Sequence, residues 1–111
     1  MGLYIILKAG RNRFCEMSGS EERPDLRFLQ SKVGGYIEFV CCRHLPEGVD
    51  MFCDEEGKLK NKEVNPLATK LFGNDGDVIV GDVVLVGRDD DCNSVWLTSE
   101  QAKAVWEAVK K

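Results

Sequence analysis

Apolar and polar positions alternate or recur along this chain with periods that change at identifiable residues. Leu3 to Ala9 is rich in apolar and β-branched residues and predicts a strand. The Gly10-Arg11-Asn12 turn would return it to a short partner, Arg13 to Met17, and Ser18-Gly19-Ser20 breaks the pattern. Pro24 suits a first helical turn, with Glu21 and Glu22 near its electropositive end. Leu26, Leu29 and Val33 then fall at helical spacing, and Gly34 stands where a left-handed C-cap is wanted. Gly35 lets the chain leave at a sharp angle.

From Tyr36 the period becomes two. Tyr36 to Arg43 and Val49 to Asp54 predict a hairpin through Leu45-Pro46-Glu47-Gly48, and Gly57 marks a further turn. Asn65-Pro66, then Leu67, Ala68, Leu71 and Phe72, then Gly73, carry the cap, first-turn proline, apolar stripe and stop of a short helix. Asp77 to Gly87 is valine-rich with both faces apolar, which predicts a central strand. Asp89 to Asn93 is the loop to a last strand, Ser94 to Leu97. Thr98 and Gln101 form a capping box, after which Ala102, Val105, Trp106 and Val109 line one helical face. Lys110-Lys111 complements the negative end of that helix. The order is β-β-α-β-β-α-β-β-α. It predicts an α+β fold, a mixed or mainly antiparallel sheet with helices packed on it.

Composition narrows the picture. With 111 residues, one domain spanning 1–111 is expected, and 43% hydrophobic residues provide an ordinary core. A net charge of -4 argues against non-specific nucleic-acid binding, which needs a basic field. The apolar run Leu3 to Leu7 is too short for a secretory or membrane segment. A cytoplasmic, reducing location is therefore expected, with the five cysteines as thiols and no membrane partner.

Several stretches together carry a resemblance. Leu29-Gln30-x-x-Val33-Gly34-Gly35-Tyr36-Ile37-Glu38 is followed by Asp54-Glu55-Glu56-Gly57-Lys58-Leu59, then Asn65-x-x-Ala68, then Asp77-x-Ile79-x-Gly81-Asp82. This series resembles the domain-of-unknown-function family 3846, small proteins of phages, plasmids and bacterial chromosomes. The resemblance spans roughly residues 3 to 100. It implies a phage or mobile-element context in bacteria and no assigned reaction.

Candidate chemistry is sparse. Cys41, Cys42, His44 and Cys53 are zinc-ligand types, but their spacing is not that of paired Cys-x-x-Cys ligands. Alternation puts Ile37, Phe39 and Cys41 on one strand face, paired with Val49, Met51 and Cys53. Cys41 is then expected near Cys53, with Cys42 and His44 on the opposite side, so the four read as packed thiols and a strand histidine. The turn from Asp54 to Leu59 reads first as a fold-defining turn, with partner contact through Asp54, Glu55 and Lys58 as the alternative. Glu38 shares a face with Tyr36, Val40 and Cys42 and is expected to face water; under a helix it would be a carboxylate of shifted pKa. Gly81-Asp82 suggests a bulge whose carboxylate accepts local backbone bonds. Trp96 and Trp106 are expected in the core. Asp89-Asp90-Asp91 reads as a solvated loop, and Arg11, Arg13, Arg23 and Arg27 form a basic patch offset by Glu16, Glu21, Glu22 and Asp25.

No catalytic residue, metal ligand or cofactor is expected, and the binding candidates are Tyr36, Glu38, Asp54, Glu55, Lys58 and Asp82. The leading expectation is a non-enzymatic binding protein acting on a host protein or small ligand. A second is a protein that sequesters a nucleotide messenger, around Tyr36, Arg11 and Lys58. A third is a carboxylate hydrolase or metal enzyme using Glu38, Asp54 and Asp82. A homodimer pairing through an exposed edge strand is a further expectation.

Overall fold

The computed structural model describes residues 2–10 and 13–110, so the Arg11-Asn12 turn and Lys111 lie outside the described residues. Its strands are β1 (Gly2–Lys8), β2 (Arg13–Gly19), β3 (Ile37–Val40), β4 (Val49–Asp54), β5 (Val83–Arg88) and β6 (Ser94–Val95). Its helices are α1 (Leu26–Val33), α2 (Pro66–Phe72) and α3 (Ser99–Val109), in the β-β-α-β-β-α-β-β-α order. All strand pairs are antiparallel, in the order β2-β1-β5-β4-β3, with β6 beside β5 at the level where β1 begins. The fold is α+β. No described helix is long and apolar enough to cross a membrane.

Both faces of the sheet are covered. Ile5, Leu7, Met51, Val83 and Leu85 pack against Ala68 and Leu71 of α2 and Ala102, Val105 and Val109 of α3. Tyr4, Ile6, Val84 and Val86 meet Leu29 and Val33 of α1 on the other face. Strand β5 therefore buries residues of both parities and lies centrally, as its valines require.

Caps at the helix ends follow the sequence signals. Gly34 and Gly73 adopt left-handed conformations at φ 81° and 69°, and Thr98 with Gln101 closes the capping box of α3. Asn65 does more than cap α2. Its Oδ1 accepts from the Ala68 N–H while its amide donates to the carbonyls of Leu7 and Gly81, at 2.8 and 2.9 Å.

Five expectations require correction. Helix α1 starts at Leu26, capped by Asp25, so Pro24 precedes the helix and Leu26 is 58% exposed. Phe28, one position round from the expected stripe, packs inward instead. Residues Ser18 and Gly19 extend β2 rather than break it, because Gly19 pairs with Gly2 under the Trp96 indole. Residues 77–82 lie outside β5. Ile79 is bonded to Asn65 and Thr69, and Gly81, at φ 77°, donates to the Glu63 carbonyl, so this stretch is tied to the start of α2. Trp106 is 44% exposed, edge-on to Phe14 at 5.1 Å, and Trp96 is half-buried.

The fifth correction concerns the β3–β4 register. Glu38 pairs with Cys53, Phe39 with Phe52 and Val40 with Met51. Ile37 and Phe39 thus share the α1 face with Phe52, while Glu38 and Val40 share the other face with Met51 and Cys53. The chain leaves the sheet after Val40 because the N–H groups of Arg43 and His44 donate to the carbonyls of Phe72 and Leu71, ending α2. Cys41 is exposed and lies past the last paired residue, with Glu38 rather than Cys41 on the face of Cys53, whereas the Cys42 Sγ lies 3.7 Å from the Met51 Sδ.

Candidate functional site

The stretch from Gly34 to Lys62 closes on itself around one carboxylate. At the end of β4 the Asp54 side chain is fully buried, 2.7 Å from the Lys60 Nζ and 2.6 Å from the Lys62 Nζ. It also accepts from the Glu56 N–H at 2.9 Å. Burial opposes its charge, but the two ammonium groups and that N–H outweigh burial and hold its pKa down at about 2. The same lysines donate to the Gly34 and Val33 carbonyls, at 3.3 and 2.9 Å, where the negative end of the α1 dipole needs cations. The acidic turn, the glycine junction and the helix end form one unit.

Beside this unit a groove of about 460 Å³ runs between β3 and residues 72–80. Its β3 wall is the last strand of the sheet, paired only with β4 among the described residues. The Glu55 N–H donates to the Tyr36 carbonyl at 2.9 Å, which sets the hydrogen-bond phase of the strand. Tyr36, Glu38 and Val40 turn their backbone groups toward β4, while Ile37 and Phe39 turn theirs to the open edge. Val40, Cys53, Phe72 and Ile79 supply apolar lining, and Phe39, Leu59 and Val78 are 53%, 83% and 38% exposed.

Polar groups of the groove are partly committed to each other. Lys58 pairs with Asp77 at 2.6 Å. Glu38, exposed as expected, has its Oε1 3.8 Å from the Cys53 Sγ. Burial first, and then the Glu38 charge, push the Cys53 thiol up to about 11, while burial pushes Cys42 up to about 12. Neither is a thiolate nucleophile near neutral pH.

Of the six binding candidates, the groove brings together Glu38, Asp54, Glu55 and Lys58. Tyr36 lines a separate depression with Arg27, Gln30 and Lys60. Asp82 lies in another, with its Oδ1 accepting from the Ala9 N–H at 3.0 Å and its Oδ2 in an ion pair with the Lys8 Nζ at 3.7 Å. Its partner is thus 73 positions away in the chain, not the local backbone bond expected of a bulge. The hydrolase set Glu38, Asp54 and Asp82 is not assembled in one cleft, and Asp54 is already neutralised by two lysines. Among the described residues no three His, Cys, Asp or Glu side chains converge as metal ligands. Sequence reasoning missed Phe39, Leu59 and Val78, since an exposed apolar residue carries the same letter as a buried one.

The model of one family, Domain of unknown function (DUF3846), matches residues 5–110. No curated protein and no solved structure matches the chain. With the match running from within β1 to Lys110, the residue that caps α3, the chain belongs to the DUF3846 family.

Proposed function

We propose that this chain is a non-enzymatic binding module whose groove takes an extended segment of a partner protein, added as a strand along β3. One observation carries the reading: an open strand edge forms one wall of an apolar groove whose Glu38 and Glu55 carboxylates have no cation partner among the described residues. Edge strands normally carry charge, proline or cover against such pairing. Here Ile37 and Phe39 offer backbone groups, Leu59 and Val78 offer apolar contact, and Glu38 and Glu55 favour a basic segment. The phage or plasmid context implied by the resemblance supports a host protein as the source of that segment.

A second copy of the chain is the less favoured occupant. Two copies, each of charge -4, would bring two sets of Glu38 and Glu55 together. The test combines capture of a partner with hydrogen exchange on the purified complex. Protection should appear at Ile37–Val40, and Leu59→Asp should weaken binding by roughly tenfold or more while the fold persists. Protection confined to another face, or unchanged affinity of Leu59→Asp, would overturn the reading. A stable dimer by light scattering with the same protection would assign the edge to self-association instead.

A further inference from the structure

On the face opposite α2 and α3, we infer that the depression between α1 and Trp96 is a second site, built for a small aromatic anion of the nucleoside monophosphate class. The depression measures about 510 Å³, within the range of small-molecule sites. Tyr4, Phe28 and Trp96 form its aromatic side. The Phe28 ring meets Tyr4 and Trp96 edge-on, at centroid distances of 4.9 and 5.1 Å. Tyr4 is buried beneath the other two, which stay half-buried and keep part of each ring at the surface.

The indole is held in place from two sides. Its Nε1 donates to the Glu21 carbonyl at 2.9 Å. Beneath it lie Gly2 and Gly19, paired across β1 and β2; a Cβ on either would come within 1.9 or 2.4 Å of the ring. The sheet is therefore cleared of side chains where Trp96 lies. A preset aromatic wall of this kind offers a base a stacking surface at little ordering cost.

Two cations complete the site. Arg27, Phe28, Ser31 and Lys32 occupy neighbouring positions of α1, with Arg27–Ser31 and Phe28–Lys32 each one turn apart, so rings and cations are presented together. Lys32 sits 5.5 and 5.3 Å from the Tyr4 and Phe28 ring centroids. Among the described residues neither Lys32 nor Arg27 forms an ion pair with a carboxylate. A lysine held only by ring faces retains its donors for an anion. Asp25 and Glu21 line the opposite end. The Asp25 carboxylate is engaged by the Phe28 N–H, and Glu21 repels an anion, so the phosphate belongs at the Lys32 and Ser31 end. Of the nucleotide site expected around Tyr36, Arg11 and Lys58, Tyr36 and Lys58 line separate depressions and Lys58 is paired with Asp77, while Arg11 lies outside the described residues.

Fluorescence of the intact chain carrying Trp106→Phe reports Trp96 alone. Titration with AMP should give a saturable change at sub-millimolar concentration, with adenosine and inorganic phosphate each binding at least tenfold more weakly. Lys32→Gln should weaken AMP at least tenfold with unchanged thermal unfolding, and Glu21→Gln should strengthen it. Absence of saturation at 10-fold higher AMP, equal binding of adenosine, equal binding of phosphate, or an unaffected Lys32→Gln would each overturn the assignment. The result is independent of the β3 groove, which Leu59→Asp tests.

Discussion

Asp54 and Gly35 are explained by one another. A Cβ on Gly35 would lie 2.7 Å from the Asp54 Oδ1 and 2.8 Å from the Lys60 Nζ, so the second glycine of the pair makes room for an ion pair. Gly34 answers a different need, the left-handed cap at φ 81°. Gly35→Ala should therefore cost roughly 1–3 kcal/mol in urea unfolding by forcing the lysine clamp apart. Asp54→Asn should cost about 3 kcal/mol, because two lysines lose the charge that holds them and the carbonyls of α1 lose ordered donors. Cysteine chemistry is also decided residue by residue. Cys41 and Cys92 are exposed, while burial raises Cys42 to about 12 and Cys53 to about 11. Thiol titration of the folded protein at pH 8 should show Cys41 and Cys92 reacting quickly, and Cys42 and Cys53 only after denaturation.

At the scale of elements, helices were more legible than strand pairing. Every signal for α2 held, since a cap, a proline and a stopping glycine act within one turn of chain. Asn65 shows where local reading stops. Its capping oxygen is readable from sequence, but its amide bridges Leu7 and Gly81, which lie 58 and 16 residues away. Asn65→Ala should accordingly cost roughly 2–4 kcal/mol by chemical denaturation, against about 1 kcal/mol for the exposed cap Asp25→Ala. Equal losses would show that the buried bridge adds nothing. The β3–β4 register failed for a related reason. Both sheet faces are covered, so an apolar residue fits either parity, and the pairing is set by where the chain must leave to end α2.

For the whole molecule, acid stability follows from the sum of the carboxylates. Asp54 has a folded pKa of about 2, below the unfolded value near 3.9. Its stabilisation, about 2 kcal/mol, is thus complete above about pH 5 and lost as pH falls toward 2. Asp77, held low by Lys58, and Asp89, held low by the Asn93 and Asp91 N–H groups, act in the same direction but are solvent-exposed and weaker. Asp50 opposes them. Burial raises its pKa despite the Arg88 partner, so its contribution improves as it is protonated. Urea midpoints measured from pH 5 to pH 2 should fall steeply for the natural chain and less steeply for Asp54→Asn. Parallel slopes would remove Asp54 as the main acid-sensitive group.

By itself the sequence determined the α+β class, the element order, the caps of α2 and α3, the glycine stop of α1 and the central place of β5. Each depends on residues within a few positions or on a strand apolar on both faces. The tertiary structure alone decided the β3–β4 register, the use of Gly2 and Gly19 as the floor of Trp96, and the Asp54 clamp on α1. It also decided which apolar residues stay at the surface. Those features join groups distant in the chain, and pairing across such distances depends on what else fills the space between them, which residue order encodes only through the complete packing.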